Sequence, residues 1–127
     1  MAEELVLIVD DNEKNRKLAR DVLTFAGFRT LEAETGEQGV SLATEHLPDV
    51  ILMDIRLPDL DGTAVLRRLR AEERTAAIPV VAVTSFAMKG DRERFLAAGF
   101  DGYLEKPINV TELGDQVRAY CAQSEDG

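Results

Sequence analysis

Apolar runs bounded by breaker residues divide the chain into alternating short segments. The run "LVLIV" at residues 5–9 holds five apolar residues in succession, three of them β-branched, which reads as a strand buried on both faces. Strand candidates are Leu5–Asp10, Phe28–Ala33, Asp49–Asp54, Pro79–Thr84 and Asp101–Leu104. Amphipathic stretches lie between them. Asn15–Phe25 places Leu18, Val22 and Phe25 on one face, with Gly27 beyond as a stop signal. Gly36–Leu47 carries Val40, Ala43 and Leu47 and meets the breaker Pro48. Thr63–Glu73 carries Val65, Leu66 and Leu69, and Asp91–Ala98 carries Phe95 and Leu96 before Gly99. A last helix, from about Val110 to Tyr120, spaces Val110, Leu113, Val117 and Tyr120 at helical intervals.

Strands alternating with helices of this length predict an α/β fold with a parallel sheet covered on both faces. Right-handed crossovers leave few topologies for five βα units. The expected one is flavodoxin-like, a doubly wound (βα)5 sheet of strand order 2-1-3-4-5, in which ligands bind beyond the C-terminal ends of the first and third strands. Residues 1–122 are expected to form one domain and residues 123–127 a short polar tail.

Composition narrows the function classes. A length of 127 residues suits one domain, and the 45% hydrophobic and 31% charged content is ordinary for a soluble globular protein. The formal net charge of −9 argues against nucleic acid as a partner, which would call for a basic patch. No apolar run approaches the ~20 residues of a membrane helix, and no signal peptide precedes the first strand. The single Cys121 cannot form an internal disulfide, and no Cys/His cluster has zinc-ligand spacing. A cytoplasmic domain is the expectation.

The chemistry concentrates at strand ends. The first strand runs into Asp10, Asp11 and Asn12, and the third, "DVILMD", ends in Asp54. In the expected topology these carboxylates converge at one rim. Two unit charges about 4 Å apart repel by on the order of 4 kcal/mol at an effective dielectric of ~20. A hard divalent cation with oxygen ligands, magnesium above all, offsets that repulsion. The competing explanation is that one of these residues only caps the following helix. Thr84 closes the fourth strand and Lys106 follows the fifth, so a hydroxyl and an ammonium join the same rim. Both can bond a carboxylate or a phosphoryl oxygen. Pro107 stiffens the chain just after Lys106. Gly62, in "LPDLDG", reads either as a simple turn glycine or as room left around Asp54.

With those residues on the page, the chain resembles the bacterial response-regulator receiver domains (CheY-like), the phosphoacceptor modules of two-component signalling. The resemblance runs from Leu5 to about Tyr120 and rests on "VDDN", "ILMDIRLPDLDG", "VVAVTSFA" and "YLEKPI", in order. It implies that Asp54 accepts a phosphoryl group from a sensor histidine kinase or a histidine phosphotransfer protein. It implies that Asp10, Asp11 and Asp54 hold Mg2+ with the Arg56 backbone carbonyl, and that Thr84 and Lys106 bind the acyl phosphate. Tyr103 would be the aromatic that changes rotamer as Thr84 moves. A domain of this kind assists its own phosphorylation and dephosphorylation without being a conventional enzyme.

The stretch "TSFAMKGDRERFLAAGFDGYLEKPI" resembles single-domain regulators of the DivK type, which act through protein contacts with kinases or effectors. Receivers within hybrid kinases or larger regulators share that stretch and form the alternative. The implied contact face combines the fourth helix, fifth strand and fifth helix, with Tyr103, Ser85, Phe86, Met88, Lys89, Pro107, Ile108 and Asn109, although Phe86 and Met88 read equally well as helix packing. A monomer is expected, with dimerisation on phosphorylation as an option. Two departures stand out: Ser85 replaces a frequent alanine beside the pocket, and Arg56 puts a cation two residues after Asp54. His46, the only histidine, reads as a surface residue. A haloacid-dehalogenase-like phosphatase is the enzyme rival, but Asn12 and Arg56 stand where its second aspartate would be required. A flavodoxin-like cofactor binder is disfavoured because its first loop should offer hydroxyls and backbone amides to phosphate, whereas "DDNE" repels phosphate unless a metal intervenes.

Overall fold

The structure, a computed structural model, describes residues 4–85, 90–106 and 108–126, with side chains followed as far as Cys121. Its strands are β1 (Leu5–Val9), β2 (Arg29–Ala33), β3 (Val50–Asp54), β4 (Val80–Thr84) and β5 (Gly102–Glu105). Its helices are α1 (Glu13–Phe25), α2 (Gly36–His46), α3 (Gly62–Ala71), α4 (Asp91–Ala98) and α5 (Leu113–Asp126). The strands form one parallel sheet in the order β2-β1-β3-β4-β5, as the alternating pattern predicts. Among the described residues no helix is long and apolar enough to cross a membrane.

The near-continuous apolar strands serve two cores, because successive side chains point to opposite faces. Leu7, Val9, Ile51, Met53, Val80 and Ala82 face one way and meet Val65, Leu66 and Leu69 of α3 and Phe95 of α4. Val6, Ile8, Val50, Leu52, Val81 and Val83 face the other way, against Ala19 and Leu23 of α1 and Leu113, Val117 and Cys121 of α5. Polar residues at strand entries complete the backbone pairing. Asp49 Oδ2 accepts from the Leu5 amide at 2.7 Å, and Asp101 Oδ2 accepts from the Val80 amide at 2.8 Å.

Two helices depart from the sequence expectation. In α1 the buried residues are Arg16, Ala19 and Leu23, whereas Leu18 is exposed and Phe25 is 96% exposed. Apolar periodicity missed the true face because that face contains an arginine, buried in ion pairs described below. Helix α5 starts at Leu113 and not near Val110, which lies exposed. The Asn109 side chain accepts from the Thr111 amide at 3.0 Å and so closes a turn ahead of the helix. At its other end α5 continues to Asp126, taking in most of the segment expected as a tail.

Helix α2 ends on Leu47, which adopts a left-handed conformation with φ 49°. Glycine takes that conformation without the Cβ clash. Because Leu47 is 43% exposed and outside the core, Leu47→Gly is expected to raise stability by about 0.5–1 kcal/mol, read as a higher urea midpoint. A lower midpoint would show that the exposed leucine contributes more by packing than its backbone strain removes.

Candidate functional site

Sheet register brings the predicted residues together. Val9 of β1 pairs with Met53 of β3, Asp54 with Val83 of β4, and Thr84 with Glu105 of β5. The residues at or just past these strand ends, Asp10, Asp54, Thr84 and Lys106, therefore share one edge. Asp10, Asp54 and Thr84 are buried. They line an open cleft of about 260 Å³ together with Asp11, Asn12, Asn15, Arg56, Ser85 and Lys106.

Capping of α1 is carried out by Asn12, whose side chain accepts from the Asn15 amide at 3.0 Å. Neither Asp10 nor Asp11 serves as that cap. Asp10, Asp11 and Asp54 each offer an oxygen, and these oxygens lie within 4.8 Å of one another. Such an all-oxygen set fits a hard divalent cation.

The two buried carboxylates are held alike. Asp10 Oδ1 accepts from the Asn12 amide at 2.9 Å, and Asp54 Oδ1 accepts from the Arg56 amide at 3.0 Å. Their other oxygens share one ammonium: Lys106 Nζ lies 2.7 Å from Asp10 Oδ2 and 3.2 Å from Asp54 Oδ2. The Lys106 amide donates to the Thr84 carbonyl at 2.8 Å, which fixes where the lysine leaves the sheet.

Burial pushes the Asp54 carboxyl above the ordinary carboxylate range. The Arg56 amide pulls it down, the Asp10 charge pushes it up and Lys106 pulls it down, leaving a net rise. Burial works against the charged form of Lys106, but its bonds and attraction to Asp10 and Asp54 outweigh that, so its pKa is raised. Lys106 is thus a cation throughout the neutral range.

The loop after Asp54 folds back tightly. The backbones of Arg56 and Asp61 pair in an isolated antiparallel β-bridge, and the Asp61 side chain caps α3 by accepting from the Ala64 amide at 2.9 Å. Asp59 reaches sideways to α2, where its two oxygens accept from the Gly36 and Glu37 amides at 2.8 and 3.0 Å. Those amides hold the Asp59 carboxyl below its ordinary pKa.

Gly62 sits under the loop, donating to the Ile55 carbonyl at 2.8 Å. A Cβ there would lie 3.0 Å from both the Asp54 carbonyl oxygen and Ile55 Cα. This is a close approach to the backbone of Asp54, beyond a simple turn. Backbone cannot swing aside as a side chain can, so Gly62→Ala is expected to destabilise by about 1–3 kcal/mol. Urea titration checks it, and an unchanged midpoint would return Gly62 to the role of an ordinary turn residue.

Tyr103 stacks on Phe95 of α4, ring centroids 5.9 Å apart, and burial raises its hydroxyl pKa. Ser85 is exposed at the cleft, and His46 is a surface residue, as expected. Phe86, Met88, Lys89 and Pro107 lie outside the described residues. Sequence reasoning missed Asn15, a wall of the cleft, and the loop anchor Asp59. It also missed Arg16, which donates from Nη1 to the Asp10 carbonyl at 2.8 Å. Its position in the true apolar stripe of α1 was the signal that could have found it.

The response regulator receiver domain pattern matches residues 6–118. The chain belongs to the response-regulator receiver family. This receiver is 45% identical over 119 residues to the polar-differentiation response regulator DivK of Brucella ovis, covering 94% of this chain and 97% of that protein. A similar figure, 44% over the same length, holds for DivK of Brucella anthropi. Among solved structures it resembles the receiver domain of sensor histidine kinase PA1611 from Pseudomonas aeruginosa, which has a magnesium ion coordinated in its active-site cleft. That likeness has TM-score 0.86 and 37% identity over 95% of this chain and 99% of the other. A CheY-like receiver from Methanospirillum hungatei matches with TM-score 0.88 and 26% identity, covering 98% of each chain. This receiver is accordingly a signalling domain with a phosphoacceptor role in two-component systems, and does not belong to a conventional enzyme family.

Proposed function

We propose that Asp54 is the phosphoacceptor, receiving a phosphoryl group from the phosphohistidine of a sensor kinase or phosphotransfer protein. The observation that carries this reading is the shared ammonium of Lys106, 2.7 and 3.2 Å from Asp10 and Asp54 at the floor of the cleft. A carboxylate oxygen of Asp54 forms the new P–O bond as the P–N bond to the donor imidazole breaks, giving an aspartyl phosphate. Asp10, Asp11, Asp54 and the Arg56 carbonyl would hold magnesium, which would supply charge neutralisation at the phosphoryl oxygens. Lys106 moves from pairing two carboxylates to pairing the phosphoryl group, and Thr84 donates its hydroxyl to a phosphoryl oxygen. Those new bonds would bias Tyr103 and the face of α4, β5 and α5, with Ser85, Phe86, Met88 and Pro107, toward a partner-binding arrangement.

The likeness to DivK, which spans 97% of that protein, supports action as a single-domain regulator that contacts kinases or effector proteins; the reading is completed by a cytoplasmic monomer, with dimerisation on phosphorylation as an option. The likeness to the PA1611 receiver supports a second reading, a receiver working within a hybrid kinase.

The test is intact mass after incubation with magnesium and acetyl phosphate, comparing wild type with Asp54→Ala. A labile gain of one phosphoryl group that needs both magnesium and Asp54 is the expected result. No gain from acetyl phosphate, and none from a panel of phosphorylated histidine kinases and phosphotransfer proteins, would overturn the assignment.

A further inference from the structure

Arg16 is an arginine with almost no exposed surface, on the inner face of α1. Its guanidinium reaches three acceptors: Nη1 donates to the Asp10 carbonyl at 2.8 Å, Nε lies 3.4 Å from Glu32 Oε1, and Nη2 lies 3.3 Å from Glu34 Oε1. Asp10 has just left β1, so its carbonyl lies beyond the β1 ladder and still needs a donor inside the protein. On the other side of the same residue, the Asp10 amide donates to the Ala33 carbonyl at 3.0 Å. The main chain of Asp10 is thus tied at both ends to the β2 edge, directly through Ala33 and indirectly through Arg16 and its glutamates. The Asp10 carboxylate is in turn aimed by the Asn12 amide.

We propose that Arg16 is a positioning residue for the divalent-cation site, holding the Asp10 peptide at the pitch that turns its carboxylate toward Asp11 and Asp54. This rests on the reading of that cluster as a metal site. A planar fork can meet a carbonyl and two carboxylates together, which a lysine ammonium does less well. Groups that orient metal ligands from behind typically change metal affinity by about 10–100-fold when removed. A guanidinium serving only to join α1 to β2 would change folding stability and leave the affinity of the folded protein alone.

Arg20 provides the control. It pairs with the same Glu32 at 3.1 Å but does not bond Asp10.

The experiment titrates the full chain with manganese ion, a paramagnetic stand-in for magnesium, and reads bound metal by electron paramagnetic resonance. Urea midpoints are measured in parallel. Arg16→Met is expected to weaken manganese binding about tenfold, with Arg20→Met within about twofold of wild type. Arg16→Lys should fall between them, since its ammonium can reach the Asp10 carbonyl but not both glutamates. Manganese affinity within about twofold of wild type for Arg16→Met, or for Arg16→Lys if the methionine variant does not fold, would overturn the positioning role. Equal losses in Arg16→Met and Arg20→Met would do the same, by tracing the effect to Glu32. Wild type that takes up no manganese would defeat the metal-site reading itself, a separate and recognisable failure.

Discussion

Lys106→Met is expected to slow the proposed phosphoryl transfer to Asp54 by about 10²–10³-fold, the scale on which a preorganised donor at developing charge acts. Methionine keeps most of the apolar stem that the largely buried lysine packs into the site and removes only the ammonium. In metal-free protein, Asp10 and Asp54 then face each other without a counter-charge, and stability is expected to fall by about 1–3 kcal/mol. Magnesium should stabilise this variant more than it stabilises wild type, because it meets a more negative site.

The pH dependence has a definite sign. A lysine whose folded pKa is raised contributes stability that is fully present below its ordinary value of 10.5. That contribution is lost as pH rises through the raised folded value. The gap between wild type and Lys106→Met should hold at neutral pH and close only in strong alkali. Urea midpoints measured across that range, with rapid-quench transfer rates at neutral pH, check both halves. A transfer rate within a few-fold of wild type would mean that the cation pairs carboxylates and has no part in the chemistry.

The second large effect separates two adjacent acids. Asp10→Asn is expected to weaken magnesium binding by about 100-fold, the upper end of what a supporting group alone costs. Its stability in chelator should change by less than about 1 kcal/mol, because losing the attraction to Lys106 also removes the repulsion from Asp54. Asp11→Asn should likewise weaken magnesium binding, yet leave the chelated protein unchanged, since Asp11 is exposed while Asp10 is buried. Saturating magnesium at about 100 times its dissociation constant adds about 2.7 kcal/mol to whichever form binds it. Thermal midpoints with and without magnesium therefore report affinity and intrinsic stability in one series. If both variants kept the full magnesium-dependent shift, the cluster would not be the metal site.

Much of this was legible in the chain because strands buried on both faces leave a plain mark. "LVLIV", "DVILMD" and "PVVAVT" are continuous apolar runs whose first polar residue falls at a rim, and the parallel order then sets those rims side by side. Asp10, Asp54, Thr84 and Lys106 could be placed together on that ground. The face of α1 could not, because Arg16 is charged and a pattern of apolar positions steps over it. Bonds made by main-chain groups were also hidden. Nothing in the letters shows that the Arg56 amide holds Asp54, since that depends on the path of the loop, whereas the room left by Gly62 beside Asp54 was one of two readings the sequence left open. The start of α5 was misjudged for a similar reason, a turn built by the Asn109 side chain that ends one element and delays the next.

The strand order has a consequence for how the domain is made. Asp10 lies just past β1 and Asp54 ends the neighbouring β3, but the ammonium between them arrives just after β5, the last strand. A chain emerging from the ribosome therefore brings the two acids within reach of each other before their lysine has been synthesised. Until β5 docks, only a cation from solution can offset the repulsion between the two acids. The final strand thus brings both the last edge of the sheet and the protein's own counter-charge for the two acids at its centre.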